Sequence, residues 1–400
     1  MKRILYSWNK LIIVILVLLF ISLFLNSALS AQESIINKSG KGLLGRVLTN
    51  KEIEKFFEKP DCLAGYRPLT RGPLLKLDSV NGNSIGDTTY IVETKTIISE
   101  GLKINGWLYL PEKEGKYPLV VLTNGGGDDS APIKSLSDFI APVFAHCGIA
   151  AFVHDKRGTG ESEGIFTETS FEDYINDAGN CAIFLSKDPR IDTEKIGVMG
   201  GSEGGRTAVI AASRFPVFSF VVSLVGPMLD MIEDRLYAQM NALRGRGVSD
   251  SVIEEIKPLW KQSFLAWGSQ DTDEHKKVNK QIDKYRENYE RGIIPYKKNE
   301  MDTIPAFIPI SSTWNSLGYD YMTELKQFKK KWLAIYGEDD TVVNTKLSVE
   351  NILQSMSLSG NIDFSIAVIP KCGHAPVNSE TGRRILFDNL ILNWLQLYVL

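Results

Sequence analysis

The sequence predicts an α/β protein: a mostly parallel central sheet with helices on both faces and a helical insertion late in the sheet. Three observations carry this expectation. From Tyr90 onward, short β-branched runs alternate with amphipathic stretches; most runs end at Gly, Pro, Asn or Asp; and the alternation stops for about a hundred residues between Gly226 and Lys330.

Taken in order, Tyr90 to Ile98 and Leu102 to Leu110 read as paired opening strands joined by a turn at Glu100-Gly101. Tyr117 to Leu122, Ile149 to His154, Ile196 to Met199, Phe218 to Leu224, Trp332 to Tyr336 and Phe364 to Ile369 are short, nearly continuous apolar runs, as strands buried on both faces require. Helical patterns fall near Lys134 to Ala145, Phe171 to Leu185, Glu203 to Arg214 and Gly382 to Leu397. Right-handed crossovers then put the loops at the carboxyl ends of the strands, where open α/β sheets bind ligands.

The expected organisation is a sheet core over residues 88–225 and 331–400, interrupted by a mostly helical cap over 226–330 with charged stretches such as Asp273 to Arg291. Residues 32–87 form a polar, turn-rich leader apart from a short helix around Lys51 to Phe57, and no role is assigned to them. No internal repeat is present, which excludes a solenoid.

Residues 1–31 have the three-part layout of a secretory signal. Lys2, Arg3 and Lys10 precede an uncharged run from Leu11 to Leu25, and small residues up to Ala31 follow. Cleavage near Ser30 or Ala31 and export are expected. The alternative is an anchor over residues 11–29, although a spanning helix usually needs about 20 apolar residues. Loss of the three positive charges takes the formal net charge from −3 to −6, so nucleic acid is not an expected partner. Cys62, Cys147, Cys181 and Cys372 have no CxxC spacing, and no zinc site is expected. One disulfide is compatible with export, but the apolar surroundings of Cys147 and Cys181 favour free thiols.

Gly200-Gly201-Ser202-Glu203-Gly204, directly after a strand and before a helix, has the G-x-S-x-G pattern of a nucleophile elbow. A serine on so tight a turn needs flanking glycines, since side chains there would strike neighbouring backbone. The bland reading of Ser202 is a helix N-cap, which needs no flanking glycines. In this architecture a histidine follows last; only His275 and His374 lie beyond Ser202. His275 sits among Asp271, Asp273, Glu274 and Lys276, as on a solvated helix face, whereas His374 follows a strand on a loop at the sheet's carboxyl edge. His374 is therefore the candidate general base. The acid belongs on the loop after Trp332 to Tyr336, where Glu338, Asp339 and Asp340 compete. Asp340, farthest past the strand end, is preferred, and Asp339 is the alternative. The amides of Gly126, in Asn124-Gly125-Gly126-Gly127, and of Glu203 are the candidate oxyanion donors. The run Asp155 to Ser162 lacks phosphate-loop spacing and reads as a structural turn.

These segments, Asp155-Lys156-Arg157-Gly158-Thr159-Gly160-Glu161-Ser162, Gly200 to Gly205, Gly337 to Val343 and Gly373-His374, occur in the order of the α/β-hydrolase superfamily, which the chain resembles from about Thr88 to Leu400. The elbow and the opening Gly101 to Trp107 are similar to those of bacterial capped serine esterases and dienelactone-hydrolase-like acyl hydrolases. The resemblance implies a helical cap and ester hydrolysis. Two departures stand out: Asn124 replaces a frequent histidine, and Glu203 replaces the aromatic residue of prolyl-peptidase relatives.

The expectation is a Ser202-His374-Asp340 enzyme that opens small-molecule carboxylic esters through an acyl-enzyme, needing no metal or organic cofactor. A serine peptidase or thioesterase on the same fold is the alternative, and a silent binding protein on the same scaffold a more distant one. Met228, Leu229, Met231, Trp260, Phe264, Trp267, Phe307, Trp314 and Tyr319 offer an apolar lining for an acyl pocket, although such residues mostly form a cap's own core.

Overall fold

The computed structural model describes residues 45–64, 90–126, 137–268, 271, 273–274, 276–278, 280–281 and 316–400. The segment 1–31, expected as a secretory signal, much of the leader, His275, Phe307 and Trp314 lie outside them. Among the described residues nine strands form one sheet: β1 (Arg46–Val47), β2 (Tyr90–Ser99), β3 (Leu102–Pro111), β4 (Tyr117–Thr123), β5 (Ala150–His154), β6 (Ile191–Gly201), β7 (Phe220–Leu224), β8 (Lys331–Gly337) and β9 (Phe364–Ile369), in the order β1-β9-β8-β7-β6-β4-β5-β3-β2. Among the described strands, β2 with β3 and β3 with β5 pair antiparallel and the others parallel.

The period-2 pattern sorts each buried strand between two cores. Leu119 and Val121 of β4, Phe152 of β5, and Trp332, Ala334 and Tyr336 of β8 enter the core on one face. Val120 and Leu122, Ala151 and Val153, and Leu333 and Ile335 enter the core on the other. Burying each large apolar side chain contributes roughly 1.5–3 kcal/mol, so a one-residue slip of any central strand is costly.

Helices Phe171–Leu185 and Glu203–Arg214 cover the sheet, and Phe387–Tyr398 closes the chain. The last helix starts later than the sequence pattern suggests. Gly382 turns with φ +67° and Val377 bridges to Arg384, so Arg383 to Leu386 run as a loop. Between β7 and β8 the described residues hold helices Met231–Gly245 and Asp250–Gly268 and the short turn Met322–Leu325.

The leader also differs from expectation. Arg46–Val47 adds an edge strand parallel to β9, and the following helix Asn50–Phe56 docks on the C-terminal helix, where Asn393 Nδ2 donates to the Phe56 carbonyl at 3.0 Å. Cys62 and Cys147, expected as free thiols, form a disulfide that ties this segment to the end of helix Ser137–His146. The apolar setting of Cys147 does not mark a lone buried thiol, because the leader's own packing brings Cys62 to it. A cross-link spanning 85 residues contributes on the order of 2–4 kcal/mol. Cys181 and Cys372 remain free and buried.

The run Asp155 to Ser162 is a structural hub. Arg157 donates to Asp177 from Nε at 2.9 Å and to Asp173 at 2.6 Å, and also reaches Glu100. At the other end of the sheet, Arg190 bonds Glu93 at 2.7 and 2.9 Å and Asp188 at 2.9 and 2.7 Å. These bonds hold both carboxyls at about 2, below their usual 4.5 and 3.8. A folded-state value below the unfolded one stabilises above the ordinary carboxylate range, and that contribution fades as pH falls through it. The melting-temperature gap between wild type and Arg190→Gln should therefore be full at pH 7, though modest because the groups are part-exposed, and should narrow from about pH 4.5 downward. Thermal melts across that range check this; a gap that does not change with pH contradicts it.

Candidate active site

The loop after β6 turns straight into helix Glu203–Arg214, and Ser202 sits on that turn with φ 55° and ψ −125°. This backbone is strained for a residue with a Cβ, and strain of this kind gathers at functional positions. The Ser202 N–H donates to Leu224 O at 2.8 Å, which pins the turn to the end of β7. The flanking glycines are required sterically: a Cβ on Gly200 would lie 2.2 Å from Thr123 Oγ1, and one on Gly204 would lie 2.6 Å from Asn124 O. The Ser202 hydroxyl makes no capping bond to the helix, so the N-cap reading fails.

Instead, Ser202 Oγ lies 3.1 Å from His374 Nε2, and His374 Nδ1 lies 2.9 Å from Asp340 Oδ2. A carboxylate only accepts, so Nδ1 carries the proton and Nε2 presents its lone pair to the hydroxyl. Asp340 is buried, and its other oxygen accepts the N–H groups of Val342 and Val343, both at 2.8 Å. Asp339, the competing acid, is exposed and bonds Ser379, while its N–H donates to Cys372 O at 2.8 Å; it braces the loop. An imidazole between a buried carboxylate and a hydroxyl can take the hydroxyl's proton as the oxygen attacks.

Burial pushes the neighbouring Cys372 thiol up to about 11, so it stays protonated at neutral pH and is no rival nucleophile.

Gly126 and Glu203 line the same cleft as Ser202 and His374, and the cleft opens at the N-terminus of helix Glu203–Arg214, where a developing negative charge is favoured. Gly127 lies outside the described residues. Asn124, at the frequent histidine position, turns away from the cleft and donates to His154 O at 3.0 Å, anchoring the glycine loop to the end of β5.

Of the apolar candidates after β7, those among the described residues form core, as most such residues do. Met228, Leu229, Met231, Trp260 and Phe264 are buried in the protein core, and Tyr319 packs against it. The cavity, of about 290 Å³, is lined instead by Arg206, Pro227, Asp234, Arg235, Ala238, Val342 and Val343 beside the four residues already named. The cause is an ion-pair network. Arg206, only 1% exposed, bonds Asp234 Oδ2 at 2.6 Å and lies over the Tyr321 ring at 5.1 Å. Burial works against its charge, yet Tyr321, Asp234 and Glu203 together raise its pKa above the ordinary guanidinium value. Arg235 bonds Glu203 Oε2 at 3.2 Å.

Helix Met231–Gly245 also braces the acid loop: Tyr237 Oη donates to Asp340 O at 2.9 Å and Asn241 Nδ2 to Thr341 O at 3.0 Å. Sequence reasoning missed all of these residues. The i, i+4 spacing of Tyr237 and Asn241 marks one helix face, but nothing in the sequence names what that face touches. Among the described residues no group of His, Cys, Asp and Glu is arranged to hold a metal ion.

The sequence profile of the Hydrolase_4 family, described as serine aminopeptidase, S33, matches residues 116–381. The chain belongs to that family. The match spans β4 through the His374 loop, and the chain has the α/β-hydrolase fold. This Hydrolase_4 protein is similar to a thiohydrolase, aneE, of Aspergillus aculeatus, at 37% identity over 30% of this chain and 36% of that protein. It is also similar to a polyketide transferase, claH, of Penicillium crustosum, at 29% identity over 45% of this chain and 59% of that one. The chain thus spans about a third and about three fifths of the length of these two relatives. Among solved structures, DcsB in complex with its substrate analogue shares the fold, with a TM-score of 0.50 at 15% identity over 77% of this chain and 99% of that one.

Proposed function

We propose that this chain is an exported serine hydrolase that cleaves carboxylic esters of small molecules through an acyl-enzyme. In this reading Ser202 is the nucleophile, His374 the base and then the acid, and Asp340 the group that fixes the imidazole. The Gly126 and Glu203 amides receive the oxyanion. The observation that carries it is the hydrogen-bonded run from Asp340 through His374 to a serine on a strained elbow. Ser202 Oγ bonds to the acyl carbon as His374 takes its proton; the protonated imidazole gives that proton to the leaving alkoxide. Water, deprotonated by His374, then releases the acid and restores Ser202.

Helices Met231–Gly245 and Asp250–Gly268 belong to the cap in this proposal, with Asp234, Arg235 and Ala238 facing the reacting centre. A small cleft with charged walls favours short, polar esters over long acyl chains. Export is supported by the signal-like layout of residues 1–31 and by the Cys62–Cys147 disulfide, a bond that persists in oxidising compartments.

A second reading, thioester hydrolysis or acyl transfer, is favoured by the likeness to a thiohydrolase and to a polyketide transferase. A peptidase that reads a substrate amine through Glu203 is disfavoured, because that carboxylate is buried and faces Arg235 and Lys156. The test is kcat/KM for matched short oxygen esters, thioesters and aminoacyl anilides. The proposal expects the oxygen esters to lead by at least about tenfold; leadership by the thioesters would establish the second reading, and turnover of anilides alone would overturn both.

A further inference from the structure

The geometry points to Lys156 as a positioning residue that holds the oxyanion site in its working orientation; this rests on Ser202 being the nucleophile. Lys156 belongs to the run after β5 that the sequence marks only as a turn. Its side chain is buried, and its ammonium donates to the carbonyl oxygen of Gly125. That carbonyl and the N–H of Gly126 belong to one trans peptide, so they point in opposite directions. Fixing the carbonyl toward Lys156 therefore turns the Gly126 N–H to the other side of the loop. Gly125 lies there against the elbow: a Cβ on it would be 3.4 Å from Gly201 O and 3.9 Å from Ser202 Cβ.

A peptide between two glycines has little of its own to hold it. Neither neighbour has a Cβ to restrict its backbone, so rotation of the plane is sterically cheap. Turned over, the plane would present a carbonyl oxygen where an N–H is needed, and a carbonyl repels a developing oxyanion. An external donor on the carbonyl is the simplest restraint, and Lys156 supplies one.

The same ammonium reaches the second half of the site. It lies 3.9 Å from Glu203 Oε1, and Glu203 carries the other backbone donor. Glu203 Oε2 in turn lies 3.1 Å from where a Cβ on Gly126 would stand, so the Glu203 side chain and the Gly126 backbone are packed against each other. Lys156 is held above the Tyr174 ring at 4.9 Å and near Phe166 at 5.8 Å, which limits the arc its ammonium can sweep. One cation thus braces both backbone donors from behind, without touching the substrate.

Such a role predicts a loss in the transition state and not in the ground state. Lys156→Met should lower kcat on a short p-nitrophenyl ester by about a hundredfold, with KM changed by less than about threefold. The inhibition constant of a trifluoromethyl ketone, which forms a tetrahedral oxyanion on Ser202, should rise in the same proportion. Lys156→Arg, which keeps charge and donors, should recover most of both. A merely structural lysine would move thermal stability without moving the ketone's affinity relative to the substrate's. A folded Lys156→Met protein with near wild-type kcat, or one that loses kcat while binding the ketone normally, overturns the inference. Should the methionine variant not fold, Lys156→Arg is read in its place: any loss of kcat must be matched by an equal loss of ketone affinity, and an unmatched loss counts against the role. A wild type that neither cleaves the ester nor binds the ketone refutes Ser202 as nucleophile; a wild type that does both, beside an equally active Lys156→Met, refutes only Lys156.

Discussion

Ser202→Ala should lower kcat for short p-nitrophenyl esters by about a millionfold while leaving the protein folded. The size follows from what the hydroxyl does. Without Oγ there is no covalent intermediate and His374 has no proton to take, so only binding and the oxyanion donors remain, worth roughly a thousandfold to ten-thousandfold over water. The change removes one oxygen and keeps the Cβ, so the elbow keeps its φ of 55° and its bond to Leu224 O. Steady-state rates beside a thermal melt read both parts. A variant that is folded and retains a tenth of the activity would remove Ser202 from the chemistry.

Asp340→Asn should cost about ten-thousandfold in kcat at neutral pH with little change in KM. The reason lies in the donors around the carboxylate. Oδ1 accepts two backbone N–H groups, from Val342 and Val343, while Oδ2 accepts from His374. An asparagine has one oxygen to give, and the two amides claim it, since the reverse orientation would set an NH2 against two N–H donors. Its NH2 then faces His374 Nδ1, which must accept. The proton moves to Nε2, and the lone pair that should take the Ser202 proton is gone. Values of kcat and KM on one ester check this; a loss under about tenfold would mean that the tautomer is set by some other group.

Much of this arrangement was legible in the sequence because the fold keeps its chemistry at strand ends and in a fixed order. An apolar run closed by a glycine-flanked serine, a carboxylate loop after β8 and a Gly-His pair after β9 can each be read locally. The choice of Asp340 over Asp339 rested on distance past the strand, and the structure separates the two by burial and by what each bonds. What was not legible depends on partners distant along the chain. The two-residue strand Arg46–Val47 is too short for any periodicity to show. Cys62 and Cys147 lie 85 positions apart, and spacing carries no pairing information at that range. The charged cleft escaped notice for the same reason: Arg206 and Asp234 sit 28 positions apart on separate helices, each ordinary in its own surroundings. The aromatic residues after β7 leave pocket lining and cap core both open in the sequence, because hydrophobicity alone does not distinguish a wall facing a ligand from one facing the core; the described ones face the core.

The most direct measurement is the reaction of the intact protein with a fluorophosphonate probe, followed by peptide mapping and by the pH dependence of labelling. A single adduct on Ser202 is expected, formed more slowly toward acid pH, and lost in Asp340→Asn in proportion to kcat. An unlabelled Ser202 in folded protein, or labelling at another residue while Ser202 stays bare, would contradict it.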